Sequence, residues 1–165
     1  MQCEFLSLED LLDIASTLRL GPVRDLGLLN AAVLRPQTAL MGQYAYPSTT
    51  AKAAALLESL TKNHALVDGN KRLAWAACAV FLSLNHMTIK GCVSNDDVVD
   101  LVIAAASSDI GLAQIEETLA DWTESPDSAP TSAPPTATGT DADAHPHSPQ
   151  DRAQADSPGL RTQGP

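Results

Sequence analysis

The sequence predicts an all-α domain over residues 1–123, a compact helical bundle interrupted by one short hairpin, with a disordered tail over residues 124–165. Three observations lead there. Apolar residues recur three and four positions apart through most of the first part, the period of an amphipathic helix rather than a strand. Gly, Pro and Asn gather where each of those patterns breaks off. Eight of the eleven prolines lie beyond Glu124, among Ser, Thr, Ala and Asp, with Leu160 as the one large apolar residue. Such a stretch buries too little surface to offset the entropy of ordering it.

The elements follow in order. Residues 7–19 predict a first helix, with Ser7 as its cap, Asp10 in the capping-box position, and Leu8, Leu11, Leu12, Ala15 and Leu18 as the apolar face. Gly21-Pro22 ends it. A second helix spans Asp25 to Leu34 and stops before Pro36, because the residue preceding a proline is pushed out of the helical region. Gln37 to Thr50 holds Gly42, Tyr44, Tyr46 and Pro47 without helical period, so it reads as a loop or short hairpin whose tyrosines either cover core or face a substrate. Thr49 to Asn63 places Ala53, Leu56, Leu57 and Leu60 at helical spacing, and Leu73 to Leu84 repeats the pattern with Trp75, Ala76, Ala79, Val80 and Phe81. Met87 to Lys90 is a brief extended piece, Ser94 caps a helix from Asn95 to about Ser107, and Leu112 to Trp122 forms the last helix.

The totals exclude several function classes. A formal charge of −10 and a pI near 4.5 leave no basic face of the kind that neutralises nucleic-acid phosphates, so direct nucleic-acid binding is not expected. The tail holds six acids and two bases and so carries four of those ten charges. Cys3, Cys78 and Cys92 are odd in number and lack metal-ligand spacing, which suits a reducing cytoplasm. No apolar run reaches the roughly 18 residues of a membrane span, and the N-terminus has no basic region of a signal peptide. His145 and His147, two tail histidines without further ligands, read as solvated, and Cys78 and His86 as structural.

Between the two Ala/Leu-rich helices lies His64-Ala65-Leu66-Val67-Asp68-Gly69-Asn70-Lys71-Arg72. Asp68-Gly69-Asn70 predicts the turn of a helix-loop-helix joint, with Asn70 as cap of the second helix. Lys71 and Arg72 then sit at the positive end of a helix dipole, which costs an exposed cation about 0.3–1 kcal/mol. A phosphate bound to the first-turn amides reverses the sign of that cost. Asp68 offers hard carboxylate oxygen to Mg²⁺. His64, a residue type whose ordinary pKa lies near neutrality, is placed to serve as general base for an incoming hydroxyl. Read singly, each of these residues has a structural use: a helix-end histidine, a turn, a solvated cationic face. Their joint occurrence at this spacing favours the chemical reading.

Taken together, His64, Asp68, Gly69, Asn70, Lys71 and Arg72 resemble the signature of the Fic/Doc superfamily, and most closely the Doc (death-on-curing) toxin branch of type II toxin-antitoxin systems. The similarity extends to Val23-Arg24-Asp25-Leu26-Gly27-Leu28-Leu29, Arg35-Pro36-Gln37, Tyr46-Pro47 and Lys52-Ala53-Ala54, covering about residues 4–122. It departs at Leu66, where members usually have a Phe that plugs the loop into the core. AMP-transferring Fic enzymes have Gly at the position of Lys71 and a second Arg a few residues past Arg72; this chain has Lys71 followed, after Arg72, by Leu73-Ala74-Trp75.

The resemblance implies a Fic/Doc-like helical bundle whose hairpin corresponds to a flap holding the target segment beside the active loop. It implies a protein kinase that uses ATP and Mg²⁺, with a threonine of translation elongation factor Tu as target and arrest of translation as the result. His64 would be the base and Asp68 the metal ligand, while Gly69, Asn70, Lys71 and Arg72 would bind the phosphates. Self-inhibited Fic proteins carry an (S/T)xxxE(G/N) helix, and no Glu here precedes Gly or Asn. Control is therefore expected from a separate antitoxin of the prevents-host-death type. A Fic-type nucleotidyl transferase and a catalytically inactive interaction protein are the competing readings.

Overall fold

The computed structural model describes residues 3–125, so apart from Glu124 and Ser125 the expected tail, with His145 and His147, lies outside the described residues. Six helices form: α1 (Leu8–Thr17), α2 (Leu26–Leu34), α3 (Thr49–Asn63), α4 (Asn70–Leu84), α5 (Asn95–Ser107) and α6 (Leu112–Trp122). A short 3-10 turn, Arg35–Gln37, follows α2 and takes in Pro36, whose fixed φ suits such a turn. The hairpin pairs β1 (Ala39–Leu40) with β2 (Gln43–Tyr44) across Met41-Gly42, both with positive φ. That is the backbone a two-residue hairpin turn requires. The extended piece expected near Met87 is β3 (Thr88–Ile89), antiparallel to β4 (Thr123–Glu124), so Glu124 is still paired, with Thr88.

Helix starts follow their caps. Ser7 and Ser94 each accept from the amide three residues on, at 3.2 Å in both cases, while Asp10 and Asp97 bond back to the cap amides at 2.7 and 2.9 Å. Those bonds hold the two carboxyls below the usual carboxylate range. Asp25 caps α2 and Ser48 caps α3 in the simpler one-bond form.

The centre of the bundle is α3. The sequence shows one apolar stripe on it, yet every residue from Thr50 to Thr61 is buried. Its many alanines let neighbours approach on several sides, and it packs against α2, α4, α5 and α6 at once. Phe81, Leu56, Leu57, Leu60, Leu73, Leu82, Ile115 and Leu119 fill the core around it with almost no exposure. Cys78 belongs to that core, and burial pushes its thiol up to about 12, consistent with a structural residue.

The polar side chains that α3 buries are all partnered. Glu58 bonds Arg35 Nη2 at 2.5 Å and Lys62 Nζ at 2.8 Å, and Arg35 Nε donates to the Tyr46 hydroxyl at 3.1 Å. Burial alone would raise the Glu58 carboxyl; the bonds and charges of Lys62 and Arg35 outweigh it and hold the group below its ordinary 4.5. A lowered folded-state value means that the unfolded chain binds the proton more readily. The stabilisation is therefore complete above about pH 4.5 and lost as pH falls through the folded value. The urea midpoint of the wild type should fall across that acid range, and Glu58→Gln should flatten the fall while lowering the unfolding free energy at neutral pH by about 1–3 kcal/mol, since Arg35 and Lys62 keep part of their hydration. An equally steep acid loss in the variant would show that other carboxylates dominate.

The hairpin is rooted at the start of α3. Lys52 Nζ lies 4.6 Å from the Tyr44 ring centroid and donates to the Tyr46 and Pro47 carbonyls at 2.6 and 3.2 Å. Tyr44 also meets Phe5, with ring centroids 6.2 Å apart. His64 is twelve residues further along the same helix, about 18 Å at about 1.5 Å per residue. Tyr44 is thus engaged by Lys52 near the start of α3, and the Tyr46 hydroxyl by Arg35, which reaches Glu58 in the middle of that helix.

Candidate active site

The motif forms the joint between α3 and α4. His64 ends α3 in a left-handed conformation, φ 48° and ψ 44°, which turns the chain sharply away from the helix axis. Ala65 and Leu66 then plunge into the core, each 1% exposed, so Leu fills the position that Phe would take. Val67 and Asp68 return to the surface. Gly69, at φ 91°, opens α4.

Asn70 does not cap α4. It is the first helical residue, Gly69 holds the cap position without a side-chain bond, and the Asn70 carboxamide turns back on the loop. Its Oδ1 accepts from the Leu66 amide at 2.8 Å and its Nδ2 donates to the Leu66 carbonyl at 2.9 Å. The reason is that the Leu66 peptide is buried and needs both a donor and an acceptor, which a carboxamide supplies together. The expected contribution of Asn70 to phosphate binding is thereby reduced to its backbone amide.

A second chain segment braces the other side. Val23 forms a bridge with Leu66, the Val67 amide donates to the Pro22 carbonyl at 3.0 Å, and the Gly21 amide donates to the Asp68 carbonyl at 3.2 Å. The Arg24 and Asp25 amides both donate to the Ala65 carbonyl, at 2.8 and 3.1 Å, and Arg24 Nη2 donates to the His64 carbonyl. Residues 21–25 thus pair with the loop in strand fashion. Gly21 had a plain reading as a helix stop; what a single sequence conceals is that a Cβ there would stand 2.9 Å from the Asp68 nitrogen. Gly21→Ala should push the loop aside and cut activity while the helical circular-dichroism signal persists; full activity in that variant would mean the loop yields freely.

Above the braced loop lies a cavity of about 250 Å³ lined by Thr61, His64, Val67, Asp68, Gly69, Asn70, Lys71 and Arg72. All six residues singled out from the sequence line it, with Thr61 and Val67 in addition. Arg72 Nη2 stands 3.7 Å from Asp68 Oδ2, but both side chains are largely exposed, at 64% and 84%. An exposed pair of that kind contributes little to stability and is free to exchange partners with a ligand. The first-turn amides of α4 have no acceptor within their own helix, and no side chain caps them. A carboxylate, two cations, free amides and an imidazole therefore face one small space.

As a metal site the donor set is thin. Among the described residues no cluster of three His, Cys, Asp or Glu exists. A single exposed carboxylate suits Mg²⁺, which commonly binds through one or two carboxylates plus substrate phosphates and waters. Asp68 fits that role.

A second hollow adjoins the first. It is apolar, about 460 Å³, lined by Leu18 just after α1, Trp75 and Ala76 of α4, and Val98, Val99, Val102 and Ile103 of α5. Lys71 and Arg72 line both spaces. Leu18, Val99 and Ile103 are 42%, 52% and 46% exposed, so this face is uncovered within the described residues.

Comparison with known proteins bears on this geometry directly. Residues 5–82 match the model of the Fic/DOC family. The chain is also 48% identical over 121 residues to a curated protein named Toxin Doc from Mycolicibacterium smegmatis, an alignment covering 72% of this chain and 93% of that protein. The chain belongs to the Fic/DOC family. Its membership falls in the Doc branch, in keeping with Lys71 and with Leu73-Ala74-Trp75, without an Arg, directly after Arg72. In this Fic/DOC domain no helix among the described residues is long and apolar enough to cross a membrane.

Proposed function

We propose that this chain is a Doc-like toxin that transfers the γ-phosphate of ATP to a protein hydroxyl, with a threonine of elongation factor Tu as target and arrest of translation as outcome. The observation that carries the reading is the convergence of His64, Asp68, Lys71 and Arg72 on one cavity roofed by unpaired helix amides. His64 takes the proton of the target hydroxyl as its oxygen attacks the γ-phosphorus, and the bond from that phosphorus to the oxygen bridging to the β-phosphate breaks to release ADP. Lys71, Arg72 and the amides of residues 70–72 hold the phosphates and neutralise charge as it builds, which is most of what phosphoryl transfer asks of a protein. Asp68 would hold Mg²⁺, which when bound would supply positive charge against the phosphates. The reading as an inactive family member loses ground because Leu66 is fully buried and its peptide is bonded on both sides.

Control would come from an antitoxin of the prevents-host-death type. The apolar hollow between α1, α4 and α5 suits the apolar face of an amphipathic segment, and an occupant there would also reach Lys71 and Arg72. Co-purification with the product of an adjacent reading frame supports this, and harmless expression of the active chain alone counts against it.

The deciding experiment is intact-mass spectrometry of elongation factor Tu incubated with the protein, Mg²⁺ and ATP, beside a His64→Ala control. Gain of one phosphate, absent from the control, is the expected result. Gain of one adenylate would move the protein to the nucleotidyl transferases, and an unchanged mass would remove elongation factor Tu as target.

A further inference from the structure

The segment Val23-Arg24-Asp25 lies outside the motif, and its side chains take no part in the chemistry above. Arg24 bonds two successive carbonyls of the active loop. Its main-chain amide donates to Ala65 O at 2.8 Å, and its guanidinium donates through Nη2 to His64 O. The main-chain bond survives any substitution except proline; the side-chain bond depends on arginine. His64 is the residue that most needs such a hold. It occupies a left-handed conformation that non-glycine residues seldom adopt, at a helix end where the last carbonyls lack partners.

We propose that Arg24 is a positioning residue for His64, its guanidinium fixing the carbonyl of the turned residue from which the imidazole enters the cavity. The inference rests on the reading of His64 as base. Arg24 does not line the cavity, so it does not bind the phosphates. It belongs to none of the three ion pairs among the described residues, so its charge is not committed to a structural bridge. It is exposed, so its replacement opens no void in the core.

The test compares wild type, Arg24→Ala and Arg24→Lys in the transfer reaction, with thermal melts alongside. Arg24→Ala should lower kcat about 10- to 100-fold, the scale of a small misplacement of a reacting group, while the KM for ATP changes less than about twofold. Added guanidinium ion at low millimolar concentration should restore part of that kcat, and Arg24→Lys should fall between. An unchanged kcat would overturn the proposal, as would a loss confined to KM. So would a loss that tracks a lowered melting temperature and resists guanidinium. Should the wild type itself transfer nothing, the functional reading fails, and the positioning claim is decided by the His64 ring resonances of carbon-13-labelled protein. They should move in Arg24→Ala while those of His86 stay, and unmoved His64 resonances would overturn it.

Discussion

Replacing His64 by Ala should lower transfer to the target by about 10²- to 10⁴-fold, the usual contribution of a general base, and abolish growth arrest. The protein should still fold, because the imidazole is exposed and supports no other side chain through a hydrogen bond. A sharper form of the experiment uses His64→Gly. The left-handed φ of 48° costs a side-chain-bearing residue about 1 kcal/mol and costs glycine almost nothing. The glycine variant should therefore melt slightly above the wild type while being equally inactive. Stability gained as activity is lost would mark the strained backbone as retained for chemistry. Persistent growth arrest in either variant would remove His64 from the mechanism.

Asn70→Ala should be the most destabilising single change in the loop. It strips both partners from the Leu66 peptide, which is buried under a side chain only 1% exposed. Leaving a buried donor and a buried acceptor unpaired costs about 1–3 kcal/mol each, so a loss of about 2–6 kcal/mol is expected in urea unfolding. Activity should fall with it, since the loop carries His64 and Asp68. Asn70→Asp separates the two halves of the effect: a carboxylate still accepts from the Leu66 amide but offers no donor to the Leu66 carbonyl, and sets negative charge against it. An inactive Asn70→Ala with an unchanged urea midpoint would instead assign the carboxamide to the ligand.

What was legible in the sequence, and what was not, divides along sequence separation. Ser7 with Asp10, Ser94 as a cap, and the bounds of α3, α5 and α6 were readable because caps and helical period are local signals. The candidate site was readable for the same reason, since its members lie within nine consecutive residues. The full burial of α3 was not, because period shows a face and alanines do not announce how many neighbours will close on them. Nor was the brace, which joins residues 21–25 to residues 64–68 across some forty positions. Asn70 was misread as a cap because Asn favours that use at a helix start; the buried main-chain groups of Leu66, four residues back, claimed it instead.

The brace also sets how the site moves. The His64, Ala65 and Leu66 carbonyls and the Leu66 amide are held by Arg24 and Asp25, just before α2, or by Asn70, and the bonds share the same few peptides. One of them cannot open alone without loosening the rest, so the loop should behave as a single cooperative unit with the core beneath it. In native-state hydrogen exchange the Leu66 and Val67 amides, although they sit in a surface loop, should exchange as slowly as amides in the middle of α3. The catalytic loop would then have no private unfolding route, and a molecule would be either wholly competent or wholly unfolded, with no population of intact domains carrying a melted site.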